Sequence, residues 1–121
     1  MEWQFGIDSV AHSSAINCGG RTIAVLPSGF EHIFPKENVD LYKNILNSGG
    51  TAITEYSQEI YADSNKFLER NRIVAGLSIG VLVVEAEYRS GTSVTAKLAL
   101  EQGKMVFCIP RRHRKVKECW Y

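Results

Sequence analysis

The sequence of 121 residues has no apolar stretch long enough to cross a membrane. Its longest apolar run, at residues 81–84 with their neighbours, falls far short of the ~20 residues that a membrane helix needs. The polar start, MEWQ, also lacks the basic and apolar regions of a signal peptide. With 45% apolar and 22% charged residues, the composition is that of an ordinary folded protein, and we expect one cytoplasmic domain.

Patterns that would indicate a metal, a disulfide or a nucleophilic enzyme are missing as well. Cys18, Cys108 and Cys119 have no CxxC spacing, which argues against a disulfide framework and a zinc site. The three histidines lie on unrelated segments, so no metal site is predicted. No serine or cysteine stands in a recognisable nucleophile elbow. We therefore expect no metal and no cofactor.

The formal net charge of +1 conceals a basic run near the carboxyl end. Five cationic side chains crowd into the last eleven residues: Arg111, Arg112, Arg114, Lys115 and Lys117. Such a run either neutralises phosphates of a nucleic acid or forms a solvated tail, and both interpretations stay open. We expect residues 111–121 to be an irregular tail outside the domain.

Short β-branched runs alternate with amphipathic stretches along the chain. The pattern predicts helices over 7–18 and 36–47, a third helix capped by Asn65, and a fourth from residue 90 to 101. Strands are predicted over 22–26, 51–56, 81–84 and 105–109. The continuous apolar run at 81–84 indicates a central strand covered by helices on both faces. Residues 1–110 are therefore predicted to form a doubly wound α/β domain with a mostly parallel sheet of about four strands.

Two turns rich in small residues follow predicted strands. Ser28 and Gly29 follow the first strand, and Ser90, Gly91 and Thr92 follow the third. In an open parallel sheet, ligands bind beyond the carboxyl ends of the strands. Small residues let a phosphate approach backbone amides, and a helix start adds the positive end of its dipole. Both turns are candidate phosphate sites, although ordinary turns and helix starts have the same composition.

A cationic segment at the start of the third helix is more specific. It carries Lys66, Phe67, Arg70, Asn71 and Arg72. Cations suit phosphates, an amide bonds a base or a phosphate, and an exposed ring stacks on a base. Alternatively, Phe67 lies in the core, and the two interpretations of that ring stay open. Arg70 could likewise pair with Glu55 or Glu85, but for Arg70 and Arg72 we favour contact with the ligand.

Candidates for acid–base chemistry are few. Asp8 and His12 are four residues apart and share a helix face. We favour Asp8 as the cap of the first helix and His12 as a packed or hydrogen-bonded histidine. Glu55 and Glu85 end strands and would suit sugar hydroxyls or glycosidic-bond chemistry if they faced one crevice.

Eight ordered blocks together match one family. They are GIDSVAH at 6–12, GRTIAVLPSGF at 20–30, the FP and N of residues 34, 35 and 38, TEY at 54–56, FLERNRIVAGLS at 67–78, VLVVEA at 81–86, RSGTSVTAKLALEQGK at 89–104 and VFCIP at 106–110. Over residues 6–110 the chain resembles the Rossmann-like domain of the DNA-processing protein A (DprA/Smf) family. The resemblance implies a three-layer αβα fold.

That resemblance also implies a function. Proteins of this family act without catalysis in natural transformation (competence) and recombination, bind single-stranded DNA, dimerise and help to load the RecA recombinase. By motif position, the implied DNA contacts are Lys66, Phe67, Arg70, Asn71 and Arg72, with Lys36 as a weaker candidate. The implied phosphate turns are those of Ser28, Gly29, Ser90, Gly91 and Thr92.

The chain departs from the family at both ends. Where the family has two further strands upstream of GID, only residues 1–5 stand here, and the sequence after Pro110 differs. We therefore expect a partial Rossmann-like domain. The alternatives are an inactive fragment and a nucleotide-binding enzyme of the lysine-decarboxylase-like phosphoribohydrolase type. The PGGxGTxxE signature of those enzymes is absent, and its nearest analogue, SGTSVT at 90–95, lacks the glutamate.

Overall fold

The computed structural model describes residues 6–84 and 91–110, in which helices and strands alternate. In order these are α1 (Ile7–Asn17), β1 (Ile23–Val25), α2 (Val39–Asn47), β2 (Thr51–Ile53), α3 (Ser64–Leu77), β3 (Gly80–Val83), α4 (Gly91–Glu101) and β4 (Met105–Cys108). Short 3₁₀ turns at Phe30–His32 and Lys36–Asn38 lie between β1 and α2. The predicted α/β class is confirmed. The chain divides into two compact units, Met1–Arg70 and Asn71–Tyr121, so the boundary falls inside α3.

The first unit is built on the parallel pair β1 and β2, in which Ile23 lies opposite Thr51. Helix α2 packs on both strands and on α1. Ala24 and Leu26 are two residues apart in extended chain, so both side chains point to the same face. They form the core with Ile45, against which pack Ile16, Ile33, Leu41, Tyr42 and Ala52.

Strand β2 ends at Ile53, three residues before the predicted end. The hydroxyl of Thr54 donates a hydrogen bond to the Ser28 carbonyl over 2.7 Å and accepts one from the Tyr56 amide over 3.1 Å. These bonds between side chain and backbone compete with a strand ladder and turn the chain.

The start of α3 corrects the predicted cap. Asp63 accepts a hydrogen bond at Oδ1 from the Lys66 amide over 2.8 Å, and Ser64 is the first helical residue. A bond from a side chain to the third amide of a helix is the bond of an N-cap residue. Asp63 therefore caps α3, and Asn65 is a residue of its first turn.

The second unit contains the parallel pair β3 and β4, in which Val83 lies opposite Cys108. Helix α4 packs on both strands and buries Ala96 and Ala99. The described strands thus form two parallel pairs, each contained in one unit, where the sequence predicted a single sheet of about four strands.

Among the described residues, helices do not cover both faces of strand β3, which corrects the prediction of a strand covered on both faces. Leu82 is 59% exposed, and its register partner Phe107 is 54% exposed. Side chains alternate along a strand, so Val83, which is buried, points to the opposite face. Helix α4 covers one face of the pair, and Leu82 and Phe107 lie on the other.

Candidate nucleic-acid interface

The turn after β1 is closed by another segment of the first unit. Gly29 is buried, and its amide donates a hydrogen bond to the Ile60 carbonyl over 2.9 Å. A Cβ at this position would lie 2.1 Å from the Ser57 carbonyl oxygen and 2.3 Å from that of Gln58. The absence of a side chain at Gly29 thus serves the close approach of this segment. The Gly29 amide, predicted to bind phosphate, is already bonded within the protein.

Ser28 is also out of reach of a ligand in this conformation. Its residue is 0% exposed, and its Oγ has no hydrogen-bond partner among the described residues. Its carbonyl accepts the bond from Thr54. The predicted phosphate contact through the Ser28 hydroxyl therefore does not fit this arrangement.

Helix α3 divides the predicted DNA contacts between two faces. Arg70 and Asn71 are buried, with 4% and 3% exposure. Lys66 and Phe67 are partly exposed, and Arg72 is exposed. A helix has about 3.6 residues per turn, so Phe67, Arg70 and Asn71 share one face while Arg72 points away from it. Asn71 and Arg72 are adjacent in sequence, yet Asn71 is buried and Arg72 is exposed.

Arg70 supports the carboxyl end of β1. Its Nη1 donates a hydrogen bond to the Val25 carbonyl over 2.7 Å. The guanidinium lies 5.7 Å from the centroid of the Phe67 ring, within cation–π range. Burial lowers the pKa of Arg70, and the Asp8 carboxylate opposes this by raising that pKa. Burial and the bond to the end of β1 favour a structural role for Arg70 in this arrangement. The ligand contact favoured from the sequence stays a prediction.

Asn71 has a corresponding role in the second unit. Its Nδ2 donates to the Gly91 carbonyl over 3.4 Å, and the Thr95 hydroxyl donates to the same oxygen over 3.2 Å. Gly91 is the first residue of α4, so Asn71 anchors the start of that helix. Gly91 and Thr92 are partly exposed there, whereas the buried Asn71 does not face solvent as a base contact would.

Lys66 is paired inside the first unit. Its ammonium forms a salt bridge with Asp63 and lies 5.9 Å from the centroid of the Tyr56 ring. The hydrogen bonds from Lys66 lower the pKa of Asp63. The Tyr56 hydroxyl donates to Glu69 over 2.8 Å, and burial and then this bond raise the pKa of Tyr56. Because an ammonium has three N–H donors, Lys66 can retain its salt bridge with Asp63 and still donate a hydrogen bond to a phosphate.

Phe67 combines the two interpretations that the sequence left open. Its ring packs edge-on against Phe34, with centroids 6.3 Å apart at 70°, and against Arg70, yet it remains partly exposed. Lys36 is exposed at the start of a 3₁₀ turn, two residues after Phe34. Sequence reasoning overlooked Phe34 and Thr54, although both lie within the motif blocks quoted above.

His12 is a hydrogen-bonded histidine, as favoured from the sequence. Its Nδ1 lies 2.7 Å from the Thr22 hydroxyl. Burial lowers the pKa of His12, Asp8 raises it, and Arg70 lowers it further. The prediction that Asp8 caps α1 is wrong. Gly6 occupies the cap position without a side-chain bond, and Asp8 lies inside the first turn.

Some predicted features lie outside the described residues: Ser90, Glu85, and residues 1–5 and 111–121. Glu55 is exposed, and its shared crevice with Glu85 stays a prediction. Within 6–84 and 91–110, no three side chains of the metal-binding types come together. The helices of the same ranges are all too short or too polar to span a membrane.

The family model described as DNA recombination-mediator protein A matches residues 4–119, nearly the whole chain. The chain belongs to this family. Protein Smf of Escherichia coli (strain K12) is 47% identical over 105 residues, which are 87% of this chain and 28% of that protein. The DNA processing protein DprA of Bacillus subtilis (strain 168) is 42% identical over 105 residues, 87% of this chain and 35% of that protein. The chain therefore spans about a third of the length of these relatives.

Two solved structures of DNA processing protein A, from Streptococcus pneumoniae and Helicobacter pylori, have the same fold. DNA processing protein A from Streptococcus pneumoniae is 41% identical and superposes with a TM-score of 0.81, covering 88% of this chain and 38% of that one. The Helicobacter pylori protein gives a TM-score of 0.72 at 21% identity, over 93% of this chain and 61% of that one. These similarities confirm the Rossmann-like fold implied by the sequence blocks.

Proposed function

We propose that this chain binds single-stranded DNA without catalysis, as part of DNA processing in uptake and recombination. The observation that carries the proposal is the composition of the accessible part of α3. Lys66 and Arg72 offer cations and Phe67 offers a partly exposed ring on one helix, while the intervening Arg70 and Asn71 are used for packing. Cations for phosphates and rings for bases are what single-strand binding requires.

The start of α4 supports an anion contact in the second unit. The first amides of a helix have no partner within the helix and lie at the positive end of its dipole. Gly91 and Thr92 are partly exposed there, and Asn71 fixes the Gly91 carbonyl. We propose that this turn, with Ser90 as predicted from the sequence, receives a phosphate. In the first unit, Lys36 is an exposed cation two residues after Phe34, and we propose it as a further contact to DNA.

The relatives support the same assignment. The Bacillus subtilis and Streptococcus pneumoniae proteins are DNA processing proteins by name, and the Helicobacter pylori protein is described by its single-stranded DNA binding mode. We also propose RecA as a partner and a homodimer as the assembly, both implied by the family resemblance. Co-sedimentation with RecA filaments would test the first interaction, and light scattering would test the second.

Fluorescence anisotropy with a labelled thymidine oligonucleotide of about 20 bases tests the proposal; the length exceeds the roughly 4 to 16 nucleotides that an OB fold, another single-strand-binding domain, occupies. We expect binding at low salt. Arg72→Gln and Lys66→Gln should each weaken it. Each variant should also reduce the magnitude of the salt slope by about 0.7, the value for one lost phosphate contact on a single strand.

Matched controls remove the same charges elsewhere. Arg21→Gln and Lys43→Gln alter exposed cations that do not belong to α3 and should leave affinity close to that of the parent. Absence of binding by the unaltered chain at low salt, or equal losses in the control and α3 variants, would refute the proposal. Release of free base from nucleoside monophosphates would favour the phosphoribohydrolase alternative instead.

A further inference from the structure

An aromatic surface borders Phe67 in the first unit. The rings of His32 and Tyr61 stack with their centroids 3.7 Å apart and their planes at 22°. Tyr61 is 70% exposed, and Phe34, which contacts Phe67 edge-on, is 53% exposed. We name His32, Phe34 and Tyr61 the aromatic platform. Single exposed rings are ordinary, but a group of neighbouring ones marks a surface for binding.

The aromatic platform is built on the loop that follows β1. The Gly29 carbonyl accepts a hydrogen bond from the His32 amide over 3.2 Å. The Gly29 amide donates to the carbonyl of Ile60, the residue before Tyr61, over 2.9 Å. Backbone bonds to one glycine therefore tie together the two segments that carry the stacked rings. The Gly29 amide, which the sequence predicted to bind a phosphate, instead supports this surface through its bond to the Ile60 carbonyl.

We infer that the aromatic platform stacks the unpaired bases of a single DNA strand, which rests on the proposed function and extends its site beyond α3. His32 covers one face of the Tyr61 ring, and the exposure of Tyr61 leaves the other face to a base. His32 and Phe34 are two residues apart, so their Cα atoms are at most ~7 Å from each other. Phe34 in turn contacts the ring of Phe67 edge-on. Every nucleobase has a face that can stack on rings of this kind.

Charges near the aromatic platform favour a base over a phosphate at Tyr61. Glu31 and Glu59 are exposed and lie within two residues of His32 and Tyr61 in sequence, so phosphate oxygens would be repelled there. The exposed Lys36, two residues after Phe34, is the cation nearest in sequence to a residue of the aromatic platform. We therefore expect the contact at Tyr61 to add affinity without adding to the salt dependence.

The test compares the full chain with Tyr61→Leu in the anisotropy titration on the thymidine strand. Loss of one stacked base should weaken binding by about 5-fold to 150-fold. Tyr61→Phe keeps the ring and should retain the parent's affinity, and Phe34→Leu should weaken binding in the same sense. Phe107→Leu replaces a comparably exposed ring on β4 and should have no effect. The salt slope of Tyr61→Leu should equal that of the parent.

An abasic strand of the same length separates stacking from phosphate contact. The parent and Tyr61→Leu should bind it equally, because no base is present to stack. Equal weakening of Tyr61→Leu on both strands overturns the inference, and so does unchanged binding of the thymidine strand. In either case the proposed function stands if the parent binds the thymidine strand. If the parent does not bind at low salt, the proposed function fails and this inference fails with it.

Discussion

Replacing Arg70 with methionine distinguishes a buried support from a ligand contact. The change removes the 2.7 Å hydrogen bond from Nη1 to the Val25 carbonyl while keeping a long apolar side chain against Phe67. A hydrogen bond from a charged group contributes about 1.5 to 3 kcal/mol. Part of that loss is offset because methionine is buried without the desolvation cost that lowers the pKa of Arg70. We expect a net loss of about 1 to 2 kcal/mol in the free energy of unfolding.

Urea unfolding followed by circular dichroism measures this loss. With a urea dependence of about 1 to 3 kcal/mol per molar, the midpoint should fall by roughly 1 M. Arg72→Met is the matched control, since the same change at an exposed position should shift stability by no more than about 0.5 kcal/mol. If Arg70→Met is as stable as the parent yet loses DNA binding, Arg70 is a ligand contact and the structural argument is wrong.

Two further predictions concern stability. Asp63→Ala should lower the urea midpoint because α3 loses its cap, whereas Asp63→Asn should retain most of the stability, since asparagine caps comparably; equal losses in both variants would contradict the capping role. The folded-state pKa of His12 lies below its ordinary value of 6.5. The neutral histidine therefore contributes to folding stability above pH 6.5, and this stability is lost as the pH falls through the folded-state pKa. Urea midpoints between pH 7.5 and 5.5 (about the histidine range) should therefore fall more in the parent than in His12→Gln, and parallel profiles would refute this.

The order of helices and strands was predictable because hydrophobic periodicity and turn residues are local signals. Each described strand lies within a residue of its predicted run or inside it, as β2 does. The early end of β2 was not predictable, since it depends on the Thr54 hydroxyl reaching the Ser28 carbonyl 26 residues away. The partial exposure of β3 was missed because an apolar run shows that a strand can be buried, not which neighbours cover it.

The candidate site was predicted by residue type, and type alone did not reveal that Arg70 and Asn71 are buried. The helical spacing already indicated that the two residues share the face of Phe67, because Arg70 and Asn71 stand three and four residues after it. Arg72, by contrast, keeps the exposure expected of a ligand contact. The stacking of His32 on Tyr61 joins residues 29 positions apart in sequence, which no local pattern reveals.

The buried Gly29 has a thermodynamic consequence for any ligand of the first unit. Its amide and carbonyl hold the loop after β1 and the segment around Ile60 in one arrangement. Fixing a residue's backbone costs about 1 to 2 kcal/mol in conformational entropy, and here that cost falls on folding. A strand that binds the surface carried by these loops meets a preorganised receptor, so the interaction energy is not spent on ordering them.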